Sequence, residues 1–101
     1  MNFVFTPGLR AWLDKKGKNV ISVEVAESNS SDLEVTELFY RVVKEDFAAY
    51  LIDKKRYREF PVEGGGRVLL PPYHLEIDER VEFDVKKSWI FTRIVQTGIR
   101  L

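Results

Sequence analysis

Apolar and polar residues trade places at every second position in three separate stretches of this chain. That period fits half-buried strands and very little else. In residues 19–27, Ile21, Val23 and Val25 point one way while Ser22 and Glu24 point the other. In residues 34–44, Leu38, Tyr40 and Val42 oppose Glu37 and Arg41, and β-branched and aromatic residues are frequent. Val81, Phe83 and Val85 alternate with Glu82 and Asp84. Shorter extended segments are expected at residues 2–5, at 57–63 where Pro61 disfavours helix before it, at 67–70 and at 89–96. The total is about seven strands.

The remaining signals are punctuation. Thr6-Pro7 starts a helix, since threonine can accept from a free N–H of the first turn and proline fits the first helical position. Leu9, Trp12 and Leu13 then form one apolar stripe, Lys15 and Lys16 suit the negative end of the dipole, and Gly17 is a left-handed stop. A helix over residues 7–16 follows. Residues 45–58 stay open between a short helix, on the spacing of Phe47, Tyr50 and Leu51, and a loop with an irregular strand, because Asp53-Lys54-Lys55 reads as a turn. Gly64-Gly65-Gly66 is a hairpin turn, and Pro71-Pro72 stops the strand before it, since neither proline can donate to a ladder. Turns are expected at Asp78-Glu79 and at Lys86-Lys87-Ser88, and a break at Thr97-Gly98. Trp12 and Trp89 are expected to anchor the core. Short connections favour antiparallel pairing.

Composition sets limits. The 101 residues make one domain, residues 1–101, and 45% of them are hydrophobic, enough to fold a modest core. Sixteen basic and sixteen acidic side chains cancel, so no global charge draws the chain to nucleic acid or anionic lipid. There is no cysteine, and there is one histidine and one methionine. Thiol nucleophiles, disulfides and soft-metal thiolate sites are therefore out of reach. No stretch approaches the roughly 20 apolar residues of a membrane-spanning helix. The opening residues MNFVFTPGLR lack the basic-then-apolar plan of a secretory signal, so a cytoplasmic location is expected.

Three groups of residues are candidate sites. Ser28, Asn29, Ser30, Ser31 and Asp32 form a small polar loop that can present N–H groups to an anion, or serve as an ordinary solvated turn. His74, Glu76 and Asp78 would share one face of a strand and offer nitrogen plus two carboxylates to a divalent metal, or simply line an exposed strand edge. Lys54, Lys55, Arg56 and Arg58 surround Tyr57. They offer weak nucleic-acid contact by phosphate pairing and stacking, or an exposed charged turn. The triple glycine lacks the Lys-Ser/Thr of a phosphate loop.

The order of elements resembles the HesB/IscA-like proteins, small A-type carriers of iron–sulfur cluster assembly. The likeness lies in a short strand ending at Thr6, a helix ending Lys15-Lys16-Gly17-Lys18, a strand running into a small-residue loop, and the run Arg67-Val68-Leu69-Leu70-Pro71-Pro72 followed by Leu75 and Val81-Glu82-Phe83-Asp84. The resemblance implies a HesB-like arrangement. The carriers place one cysteine in the loop after the second strand and a Cys-x-Cys near the C-terminus. Here the loop is residues 28–32 and the tail is Gln96-Thr97-Gly98-Ile99-Arg100-Leu101. Thiolates hold the iron in such clusters, so no ordinary cluster can be carried. Short HesB-like proteins bearing a cysteine or selenocysteine pair in the early loop are the nearer likeness. Against them this chain, with hydroxyls at Ser30 and Ser31, is redox-silent.

The expectation is an α+β domain, mainly antiparallel β with about seven strands, one N-terminal helix and a HesB-like arrangement. A non-enzymatic role without a cofactor is expected, as a cysteine-free relative of the carriers that binds a small ligand or protein partner, or associates with itself, through an edge strand. Nucleic acid and membrane are not expected partners. The alternative is a metal-binding protein or enzyme built on His74, Glu76 and Asp78.

Overall fold

The computed structural model describes residues 1–30 and 33–101. The chain runs β1 (Asn2–Phe5), α1 (Pro7–Lys16), β2 (Val20–Ser30), β3 (Leu33–Val42), α2 (Glu45–Lys54), β4 (Arg58–Pro61), β5 (Arg67–Leu70), β6 (Glu76–Lys87) and β7 (Thr92–Arg100). Neighbours in sequence pair as three antiparallel hairpins, β2–β3, β4–β5 and β6–β7. Two parallel pairings complete the sheets: β2 with β5 joins two hairpins, and β1 with β6 adds the first strand to the third hairpin. The result is a three-stranded sheet ordered β1-β6-β7 and a four-stranded sheet ordered β3-β2-β5-β4.

The expected fold class is thereby corrected. The domain is α+β, but it has two helices instead of one, and both sheets are mixed where a mainly antiparallel sheet in a HesB-like arrangement was expected. Short connections do dictate antiparallel hairpins. They are silent about how the hairpins and β1 join one another, and here both of those pairings are parallel.

The two sheets touch along one side. Phe3 bridges Val62 in parallel, and Glu63 N–H donates to the Phe3 carbonyl at 3.0 Å. The strands thus form a curved series β7-β6-β1, then β4-β5-β2-β3. The inward residues of the alternating stretches fill its interior: Phe3, Phe5, Ile21, Val23, Val68, Val81 and Phe83 are all buried there. The Phe83 ring stands edge-on to Phe5 at 6.0 Å and to Tyr40 at 5.9 Å, so it touches side chains from both sheets.

Helix α1 forms over the expected residues and inserts Leu9 and Leu13 into this interior. Thr6 caps it by accepting from Leu9 N–H at 3.2 Å, and its own hydroxyl donates to the Asp84 carboxylate at 2.6 Å. That carboxylate also accepts from Val85 N–H at 2.7 Å. The Thr6 hydroxyl, then the Val85 N–H, hold the Asp84 carboxyl below the usual range. A carboxyl so depressed contributes stability that is present above its unfolded value and fades as pH falls through the folded value. Thr6→Ala removes the cap and the donor together. It is expected to cost about 1–2 kcal/mol at neutral pH and to flatten the acid limb of the stability profile, read by urea titrations at a series of pH values. An unchanged acid limb would contradict this.

Helix α2 resolves the ambiguity at residues 45–58. Glu45 and Asp46 occupy its first turn, where carboxylates suit the dipole, and Ala48 and Leu51 bury against Val20, Val43 and Leu69. Three further expectations are corrected. Asp78-Glu79 is not a turn between strands, because β6 runs through it with a register shift between Ile77 and Glu82. Thr97-Gly98 does not end the last strand, since β7 continues to Arg100. Trp12 is half-buried against the core, but Trp89 is 94% exposed and anchors nothing. It stands beyond the last paired residues of the β6–β7 hairpin, Lys87 and Thr92.

Candidate functional site

The strand series does not close. β3 and β7 are each paired on one side only, and among the described residues no backbone hydrogen bond joins them. A barrel abolishes its edges by closure; here the series stays open between β3 and β7, with a free strand edge on either bank, while β1 and β4 end their sheets and are joined only through the Phe3–Val62 bridge. Side chains alone span it. Gln96 Nε2 donates to the Tyr40 hydroxyl at 2.8 Å, while the same amide exchanges bonds with the backbone of Ile99, donating at 2.8 Å and accepting at 2.9 Å. Gln96 is thus a fixed strut and Tyr40 its far abutment.

A groove of about 810 Å³ follows this seam, bounded by β3, by Thr92–Gln96 of β7 and by the C-terminal end of α1. Trp12 and Tyr40 give it aromatic surface. Its charge is one-sided: Lys16, Lys18, Arg41 and Arg93 line it, and among the described residues no aspartate or glutamate does. Arg41 is already committed, with Glu24 holding its guanidinium by two bonds and raising its pKa, while the same group lies 4.9 Å over the Phe47 ring. Lys16 sits 4.6 Å over the Trp12 ring. Lys18 and Arg93 have no ion-pair partner among the described residues. They supply the uncompensated positive charge of the seam.

The residues singled out by sequence lie elsewhere. Ser28, Asn29 and Ser30 belong to the end of β2, paired with Val35, Glu34 and Leu33, so the strand continues where a loop was expected. Ser31 and Asp32 lie outside the described residues. His74 sits in the bend before β6, exposed, beside a small cavity shared with Met1, Arg58 and Tyr73. Glu76 and Asp78 do share a face of β6, but both face Arg100. The Asp78 carboxylate receives two guanidinium bonds at 2.8 and 3.1 Å, and Glu76 lies 3.5 Å from the same group. Hydrogen bonding from Arg100 lowers the Asp78 pKa. Among the described residues no three histidine, cysteine or carboxylate side chains are grouped to hold a metal ion.

The basic run turns a corner. Lys54 closes α2, Lys55 caps it, Arg56 takes a left-handed conformation and Arg58 opens β4 with its guanidinium over Phe60. Tyr57, the one ring that could stack on a base, instead packs beside Ala48 and Leu51, and this burial raises its pKa. The ring is therefore not presented beside the four cations as a stacking platform.

Sequence reasoning missed the seam because it is made by two strands that are distant in the chain. One signal did exist: no acidic residue occurs from Val85 to Leu101, although acids and bases balance over the whole chain. No family model, no curated protein and no solved structure matches this chain. The resemblance to HesB/IscA-like carriers rests on the quoted residues alone. No helix among the described residues is long and apolar enough to cross a membrane.

Proposed function

We propose that this chain is a non-enzymatic binding module that receives an extended, acidic segment of a protein partner at the seam between β3 and β7. The observation that carries this reading is the pair of free strand edges facing one another across a groove lined by cations and, among the described residues, by no carboxylate. An added strand would pair its backbone with an edge, as in recognition by β-augmentation, and set alternate side chains toward Trp12 and Tyr40. Acidic side chains would meet Lys18 and Arg93. A second copy of the chain is the poorer occupant, since its own edges bring the same positive charge and like charges across an interface are costly.

Selection of random peptides displayed on phage against the purified chain tests this. The enriched peptides are expected to alternate acidic and apolar residues and to bind less well as salt rises. Lys18→Glu with Arg93→Glu is expected to weaken the best synthetic peptide about tenfold or more, with the thermal midpoint unchanged. Enriched peptides without acidic residues, or affinity indifferent to the double reversal, would contradict the proposal.

A further inference from the structure

The β6–β7 hairpin ends in an apex that the seam does not use. Trp89, Ile90 and Phe91 are 94%, 71% and 58% exposed and consecutive. Large apolar side chains grouped in this way at a tip mark a contact surface. The turn beneath them is tightly built: Ser88 N–H donates to the Phe91 carbonyl at 2.8 Å, the Ser88 hydroxyl bonds the same carbonyl at 3.0 Å, and Phe91 N–H donates to that hydroxyl at 3.1 Å. The Ser88 and Phe91 N–H groups and the Phe91 carbonyl are thus paired within the turn, which lowers the cost of bringing the apex to an apolar boundary.

The collar below the apex is cationic. Lys86 and Arg93 lie directly opposite one another in register, and Lys87 pairs with Thr92. Like charges directly opposite in a sheet are unfavourable, and neither Lys86 nor Arg93 forms an ion pair among the described residues. The nearest acid on that face, Asp84, is engaged by Thr6 and Val85. Asp84 reaches Lys86 only through space, and Lys87 and Arg93 form no ion pair among the described residues, so the collar keeps a net positive charge that an external anionic surface would meet.

We propose that this hairpin tip docks on an anionic lipid bilayer, with Trp89, Ile90 and Phe91 in the interfacial layer and Lys86, Lys87 and Arg93 against the headgroups. Tryptophan and phenylalanine are at home in that layer, and basic residues beside it add attraction to anionic lipid. Docking of this kind needs no spanning segment, which was the ground for expecting no membrane partner. Insertion of the tip into the groove of a second copy is disfavoured, because both surfaces are positive. The inference shares Arg93 with the seam, but its test does not, since Lys86, Lys87, Trp89 and Phe91 do not line the groove.

Cosedimentation with vesicles of phosphatidylcholine containing about 30 mol% phosphatidylserine, with tryptophan emission recorded in parallel, tests it. The chain is expected to bind these vesicles, to bind pure phosphatidylcholine much less, and to shift its emission to the blue. Trp89→Ser with Phe91→Ser is expected to abolish the shift and lower partitioning at least about tenfold with an unchanged thermal midpoint. Lys86→Gln with Lys87→Gln is expected to lower it about fivefold per lysine. Three results would overturn the proposal: no binding to anionic vesicles, binding that survives the aromatic substitutions without a blue shift, or loss of a lipid-free dimer in the aromatic variant.

Discussion

Phe83→Ala is expected to lower the stability of the domain by about 3–5 kcal/mol. Phe83 is fully buried, and its ring is flanked edge-on by Phe5 of one sheet and Tyr40 of the other. Its removal forfeits the transfer energy of a large ring. It also leaves a hollow that two hydrogen-bonded sheets cannot readily collapse into. Small domains hold about 5–15 kcal/mol in all, so the variant should stand near the edge of folding. Urea titration followed by circular dichroism reads the effect, with Phe83→Leu as a milder companion expected to cost less than half as much. A loss under about 1 kcal/mol for Phe83→Ala would mean that the sheets do not meet at this ring.

The second large effect is expected at Gly98. Its backbone lies at φ +109°, and a Cβ placed there would fall 2.7 Å from the Arg80 carbonyl oxygen and 3.1 Å from Val81 Cα. Both atoms are backbone of β6, the central strand of its sheet, so neither can yield as a flexible side chain would. The four residues Asp78, Glu79, Arg80 and Val81 stand opposite Gly98 alone, between the pairs Ile77–Ile99 and Glu82–Thr97. This crowded irregularity is what requires a residue without a side chain. Gly98→Ala is expected to cost about 2–4 kcal/mol, combining the unfavourable φ with the displacement of a strand. Gly17→Ala isolates the first contribution: its φ is +65° and nothing lies within 4 Å of the added Cβ, so about 1–2 kcal/mol is expected. Equal losses at the two positions, measured by thermal or urea denaturation, would show that close approach plays no part at Gly98.

The strands were legible wherever one face is buried, because burial on one side imposes a period of two. Ile21, Val23, Tyr40, Val81 and Phe83 all meet in the interior as that period requires. Helix α1 was legible because its start and stop are chemically marked by Thr6, Pro7 and Gly17. Helix α2 has no side-chain cap at Lys44, and polar residues at its C-terminal end read equally well as a turn. Asp78-Glu79 has the composition of a turn, yet the strand passes through because the irregularity opposite Gly98 absorbs the extra residues. Trp89 was misplaced for a different reason. A large ring is usually worth burying, and only the reach of the hairpin, whose pairing ends at Lys87 and Thr92, carries this one out to the surface.

The candidate site was less legible than the fold. Lys18, Tyr40, Arg93 and Gln96 come from three separate segments, and no spacing rule links them. What joins them is the two parallel pairings, which decide that β3 and β7 end the strand series on the same side. A sequence can mark an edge strand. It does not mark which two edges will face one another.

Amide hydrogen exchange of the free chain and of its complex with the selected acidic peptide tests the central claim most directly. The account expects added protection on one bank of the seam, at alternate amides of residues 36–42 in β3 or of residues 92–96 in β7, with the edges at β1 and β4 unchanged. Protection confined to β4, to the corner at residues 54–58 or to the bend at His74, with β3 and β7 exchanging as in the free chain, would contradict it.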